Sequence, residues 1–217
     1  MPITKYGIGL VLGCWGIFLV FLVLAIIFRQ PVVIIITVLV GVLSVFNLYF
    51  FRDPHRVIPD SPDAILSPAD GKIIQITEVE ESQFFKRKVS RVSIFLSIFN
   101  VHVNRIPISG TVDFFRYYKG KFLPAFNNKA SLDNEQTAIG IIDSGGRKVM
   151  FTQIAGIIAR RIVCEVREGH RVKAGERMGM IRYGSRADVY FPGEEVKLRV
   201  KVGDKVIGGE TVIGVFQ

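Results

Sequence analysis

Apolar side chains are spread unevenly along this chain. Residues 7–28 are uncharged and mostly apolar, and residues 30–51 form a second such run. As helices, at 1.5 Å per residue, each is about 33 Å long, enough to cross a hydrocarbon core of about 30 Å. Arg29-Gln30-Pro31 leaves room only for a tight turn between them, and Pro31 suits the first turn of a helix. The pattern predicts a helical hairpin over 1–51 with both ends on one side of a membrane. A secretory signal, whose apolar core is only about 7–15 residues, does not fit two tandem runs of this length. A buried core hairpin of a soluble protein and a hairpin only partly inserted stay open as alternatives.

From residue 64 onward the period changes. Short alternating stretches are broken by Gly, Pro, Asp and Asn, which predicts strands over 71–79, 91–97, 110–118, 138–143 and 148–154. Ile154, Ile157, Ile158 and Ile162 have helical spacing, so a short helix is expected there. Residues 120–134 show no period and are long enough for a functional loop; Phe122, Leu123 and Phe126 in it are candidates for dipping toward lipid. Val166-Arg-Glu-Gly169-His-Arg-Val172-Lys-Ala-Gly175-Glu176 matches Val200-Lys-Val-Gly203-Asp-Lys-Val206-Ile-Gly-Gly209-Glu210 at an offset of 34. Two such hairpin units are the pattern of a barrel-sandwich, as in lipoyl and biotinyl domains. The expected fold is mainly β (α+β): a barrel-sandwich-like domain over 52–217 behind the helical hairpin.

Charge sharpens the division. Residues 1–51 hold only Lys5 and Arg29, whereas the rest holds 26 basic and 19 acidic side chains, a net charge of +7. Lys5, Arg52 and Arg56 lie at the two ends of the hairpin and Arg29 at its turn, so the positive-inside rule favours a body facing the cytoplasm. A basic body beside an anionic leaflet gains about 1 kcal/mol per Lys or Arg near the surface. Nucleic-acid binding is the competing reading of the charge, but the basic residues are interleaved with acids and no RNP, helix-turn-helix or zinc-finger pattern is present. Two isolated cysteines, Cys14 and Cys164, argue against a disulfide scaffold, a thioredoxin-type site and a structural zinc site. A carrier module would show a Met-Lys-Met-like tip between the repeats; the chain has Gly184-Ser185-Arg186 instead. A membrane-anchored adaptor of the coiled-coil type finds no heptad segment here.

That Gly-Ser pair suits self-cleavage. A serine hydroxyl can attack the preceding carbonyl and turn the amide into an ester. β-Elimination then breaks the ester, and the new dehydroalanine rearranges and loses ammonia to leave a pyruvoyl group. Glycine before the serine leaves the attack open and tolerates unusual backbone geometry. A base must take the hydroxyl proton. Asp70, in Ser67-Pro-Ala-Asp70-Gly71, reads either as an ordinary Asp-Gly turn or as a placed carboxylate. Asn100, His102 and Asn104 would share one face of a strand, lining a cleft or facing water. His55 reads as an exposed interfacial residue and His170 as a solvated turn.

Taken in order, several of these motifs identify a family. The apolar N-terminus, Phe50-Phe-Arg-Asp-Pro54, Ser67-Pro-Ala-Asp-Gly71, Phe99-Asn-Val-His-Val-Asn-Arg105, Asp133-Asn-Glu135, Ala155-Gly-Ile-Ile-Ala-Arg-Arg161 and Gly175-Glu-Arg-Met-Gly179 running into Gly184-Ser185 resemble phosphatidylserine decarboxylase in its short prokaryotic form. The resemblance implies a proenzyme cut at Gly184–Ser185 into a β chain of residues 1–184 and an α chain of residues 185–217 that stay together as a heterodimer. It implies that Ser185 becomes the pyruvoyl cofactor, with no metal. It implies a Schiff base to the amine of phosphatidylserine, loss of CO2 and release of phosphatidylethanolamine in phospholipid biosynthesis at the cell membrane. Asp70 matches the family's acid for self-cleavage and His102 a histidine of the decarboxylation step. Longer members have a second histidine three positions on, where this chain has Arg105, which cannot act as a base near neutral pH. The expectation is therefore that His102, oriented by Asp70, does both jobs. An archaetidylserine decarboxylase, with the same head-group chemistry on other tails, fits the same residues.

Overall fold

The computed structural model describes residues 2–120, 134–156, 162–182 and 184–217. The chain forms two compact units, residues 1–54 and 55–217.

In the first unit, α1 (Ile8–Phe28) and α2 (Pro31–Phe50) form the expected hairpin. Arg29 closes α1 in the left-handed region (φ 50°), and Pro31 opens α2 where no N–H partner is needed. The two ends of the unit are tied side by side: Thr4 N–H donates to Phe51 O and Asp53 N–H to Pro2 O, both at 2.8 Å. Both ends of the hairpin therefore lie on the same side. Polar side chains of α2 hold α1 by backbone contacts, Thr37 Oγ1 donating to Phe21 O (3.0 Å) and Ser44 Oγ to Cys14 O (3.2 Å). Gly41 lets the helices close, because a Cβ there would lie 2.9 Å from the Phe18 ring. Of the 21 residues of α1 only Val11 is buried. The apolar surface of α1 faces outward. Both helices are long and apolar enough to cross a membrane.

The second unit is mainly β. Its strands are β1 (Ala64–Leu66), β2 (Gly71–Glu81), β3 (Arg87–Leu96), β4 (Val103–Arg105), β5 (Gly110–Tyr118), β6 (Gln136–Ile142), β7 (Lys148–Ala155), β8 (Ile162–Cys164), β9 (Arg171–Val172), β10 (Arg177–Ile181), β11 (Ser185–Phe191), β12 (Val196–Leu198), β13 (Lys205–Val206) and β14 (Val212–Phe216). A curled half-barrel sheet of eight strands runs β13-β2-β3-β11-β7-β6-β5-β9, flanked by the three-stranded sheets β1-β14-β12 and β4-β10-β8. Alternation on β11 buries Ala187, Val189 and Phe191 in the main core with Val92, Ile94, Ile139 and Phe151. A second cluster, with Phe84, Phe85 and Met150, includes Tyr190 from β11 and Val89 from β3.

The repeat at offset 34 closes both edges of the large sheet, β9 pairing with the start of β5 and β13 with the start of β2. Gly169, Gly175, Gly203 and Gly209 all have positive φ (83°, 77°, 98° and 80°), at matching positions of the two copies. The structure adds a second repeat that the sequence did not announce, residues 66–73 against 105–112. Leu66 N–H donates to Pro107 O and Arg105 N–H to Pro68 O, both at 2.9 Å. Gly209 N–H meets Ser67 O and Gly175 N–H meets Ile106 O, both at 2.8 Å. The unit is thus built around a local pseudo-twofold.

Two local expectations change. Ile154 ends in β7 and Ile162 opens β8, so neither is helical; Ile157 and Ile158 lie outside the described residues. The alternating strand expected over 100–104 is confined to Val103–Arg105, because Asn100 Oδ1 accepts from both Ser97 N–H (2.9 Å) and Ser97 Oγ (2.8 Å) and makes a turn there instead. The lipid-dipping candidates Phe122, Leu123 and Phe126 lie outside the described residues.

Candidate active site

Ser185 is the first residue of β11, which runs between β3 and β7; Ser185 stands opposite Leu96 and Ala155. It is fully buried, and its Oγ has no hydrogen-bond partner among the described residues. A buried hydroxyl without a partner costs about 1–3 kcal/mol, which marks the position as more than packing. Gly184 just before it has φ 70°, a conformation that side chains with a Cβ rarely adopt.

His102 reaches Gly184. Its ring is fully buried, with Nδ1 3.0 Å from Asn100 O. A carbonyl can only accept, so Nδ1 holds the proton and Nε2 offers its lone pair. Nε2 accepts Gly184 N–H at 3.3 Å, which sets the basic nitrogen against the residue before Ser185. The main chain of His102 is fixed as well, its carbonyl accepting Ile181 N–H.

Asp70 follows the turn at Pro68 and is half-buried. Its Oδ1 accepts Gly208 N–H at 2.8 Å, and Arg56 Nη2 lies 2.9 and 2.8 Å from its two oxygens. Asn104 Nδ2 donates to Pro68 O at 3.4 Å, and Asn104 Oδ1 accepts Gln153 Nε2 at 2.9 Å. Gln153 in turn takes the Thr137 hydroxyl at 2.7 Å. This buried amide chain ties the turn before Asp70 to β4, β7 and β6. Arg105 is buried and donates from Nη1 to Gly175 O, bracing one of the repeat glycines. His55 and His170 are exposed, as expected. Among the described residues no three His, Cys, Asp or Glu side chains are grouped so as to hold a metal ion.

Sequence reasoning missed Arg56, Gln153 and the pair Arg186–Asp188. Arg186 is wholly buried, its Nε and Nη2 donating to the Asp188 carboxylate at 2.6 and 2.9 Å and Nη2 also to Ser93 Oγ at 2.8 Å. Burial, with the Asp188 charge adding to it, pushes the neighbouring Tyr190 hydroxyl far above its ordinary pKa. The pair pins the strand that begins at Ser185 to β3. The one available signal was Arg186-x-Asp188-x-Tyr190, three polar residues at strand period on a strand that is buried throughout. Asp188→Ala leaves the guanidinium buried without its counter-charge. It is expected to lower the unfolding free energy by about 3–5 kcal/mol, read by urea denaturation of the full chain.

A family model described as phosphatidylserine decarboxylase matches residues 43–214. The chain belongs to the phosphatidylserine decarboxylase family. Among its relatives, a phosphatidylserine decarboxylase proenzyme of Geobacter metallireducens is 40% identical over 99% of this chain and 97% of its own. One of Desulfotalea psychrophila is 46% identical over 83% of this chain and 84% of its own. One of a Wolbachia of Brugia malayi is 52% identical over 76% and 73%. The family match runs from within α2 into β14 and so includes Asp70, His102, Gly184 and Ser185.

Proposed function

We propose that this chain is a self-processing, pyruvoyl-dependent decarboxylase that turns phosphatidylserine into phosphatidylethanolamine and CO2 at the cell membrane. The observation that carries the proposal is the buried, unpartnered Ser185 hydroxyl directly after the left-handed Gly184, whose N–H meets His102 Nε2.

Ser185 Oγ attacks the Gly184 carbonyl carbon as its proton passes to His102 Nε2. The Ser185 nitrogen leaves as an amine and the amide becomes an ester. Loss of the Ser185 Cα proton breaks the Cβ–Oγ bond and releases Gly184 as a carboxylate. The remaining enamine becomes an imine, which takes up water and expels ammonia. The residues suit the pyruvoyl group that results: Ser185 is paired on both sides by Leu96 and Ala155, so the new terminus stays seated after the cut. That group supplies a ketone that captures the substrate amine and serves as the electron sink for loss of CO2. His102 is then placed to hold and return a proton beside it.

The anchor gives this chemistry its setting. The substrate head group sits at the membrane interface, and two apolar helices keep the basic body within reach of it. The body is read as cytoplasmic from the positive charge around both ends of the hairpin.

The test is the denatured mass spectrum of the purified chain. The expected result is two species divided at Gly184–Ser185, with the smaller lighter than its hydrolytic fragment by one ammonia. A single intact chain that also fails to release CO2 from phosphatidylserine vesicles sinks the proposal.

A further inference from the structure

Asp70 has a twin across the pseudo-twofold. Ser67-Pro-Ala-Asp70-Gly71 superposes in role on Ile106-Pro-Ile-Ser109-Gly110, so Asp70 corresponds to Ser109. Ser109 Oγ accepts Ala174 N–H at 2.9 Å; Asp70 Oδ1 accepts Gly208 N–H at 2.8 Å, and Ala174 and Gly208 are themselves equivalent in the repeat. The fold therefore asks this position for one hydrogen-bond acceptor, and an exposed hydroxyl meets that need on the other side.

Asp70 goes further. It is a carboxylate with only 14% of its side chain exposed, paired with Arg56, itself 9% exposed. Taking both charges out of water is costly, and the turn does not require it. A single nitrogen of Arg56, Nη2, spans both carboxylate oxygens, while its Nε is buried with no partner among the described residues. The guanidinium is thus committed to Asp70 rather than to a wider network.

We propose that Arg56 is a positioning residue for self-cleavage: it fixes the rotamer and the charge of the Asp70 carboxylate. The inference rests on the reading of Asp70 as the processing acid. It gives the segment that leaves the membrane hairpin a second task, since Arg56 lies six residues beyond the end of α2 at Phe50.

The experiment follows cleavage of freshly synthesised full-length chain by mass spectrometry, in Asp70→Ser, Arg56→Ala and Arg56→Lys. Asp70→Ser copies Ser109; it is expected to keep the wild-type melting temperature and to stay uncut. Arg56→Ala is expected to cleave about tenfold to a hundredfold more slowly, and to recover when methylguanidinium is added. Because one nitrogen makes the contact, Arg56→Lys is expected to stay within about threefold of wild type. If Asp70→Ser is blocked while Arg56→Ala cleaves at the wild-type rate, the inference fails and the reading of Asp70 stands. If Asp70→Ser cleaves normally, both fall. A slow Arg56→Ala that neither lysine nor methylguanidinium restores means a packing role and also overturns the inference.

Discussion

Ser185→Ala is expected to yield one uncut chain of 217 residues with no decarboxylase activity, yet with stability equal to or above that of the uncut wild-type proenzyme. The two halves of this expectation come from the same atom. Oγ is the proposed nucleophile and the source of the cofactor, so its removal abolishes both cleavage and turnover rather than slowing them. The same Oγ is buried without a partner, and removing such a group relieves an unmet desolvation cost of about 1–3 kcal/mol. The backbone of residue 185 keeps its place between Leu96 and Ala155, because strand pairing does not depend on the side chain. Urea unfolding and the denatured mass are read on one preparation. A Ser185→Ala chain that is still cut between 184 and 185 removes the proposed nucleophile. A variant that is uncut but several kcal/mol less stable would assign Ser185 a packing role that its missing partner does not suggest.

The parts of this protein that were legible in its sequence are those with a period. The hairpin announced itself through two long uncharged runs with one charged turn. β5 was expected over 110–118 and is found there, because Val112 and its alternating neighbours are punctuated by Gly110 and Lys119. The Gly-x-x-Val-x-x-Gly-Glu repeat was legible because backbone with positive φ selects glycine at fixed spacing. The second repeat was not, since residues 66–73 and 105–112 share little beyond a proline and a glycine. Their likeness lies in backbone hydrogen bonds, which place no demand on side-chain identity. The strand over 100–104 was overextended because a side-chain oxygen, Asn100 Oδ1, outcompetes the ladder for Ser97 N–H, and a turn of this kind has no period. At the site, Ser185, His102 and Asp70 were named from motif and family. Their supports were not, because Arg56 meets Asp70 and Gln153 meets Asn104 only through the tertiary fold.

His102→Ala carries the second large effect. With Nδ1–H committed to Asn100 O and Nε2 facing Gly184 N–H, His102 is the imidazole that contacts the residue before the proposed cleavage bond. Arg105 donates to Gly175 O, and a guanidinium cannot act as a base near neutral pH. In the proposed mechanism the proton of Ser185 Oγ passes to His102, and loss of the imidazole is expected to slow self-cleavage by about 10²–10⁴-fold, the usual range for a positioned general base. A variant that still cleaves fully within the wild-type time removes His102 from that step. The second job is tested on the same material. Whatever fraction of His102→Ala does mature is separated and assayed for CO2 release per cleaved chain. If one imidazole serves both steps, that turnover falls as well, whereas wild-type turnover in the matured fraction confines His102 to processing. The reason to expect a double defect is geometric: the ring contacts Gly184, next to the residue proposed to become the new terminus, and His55 and His170 are both exposed.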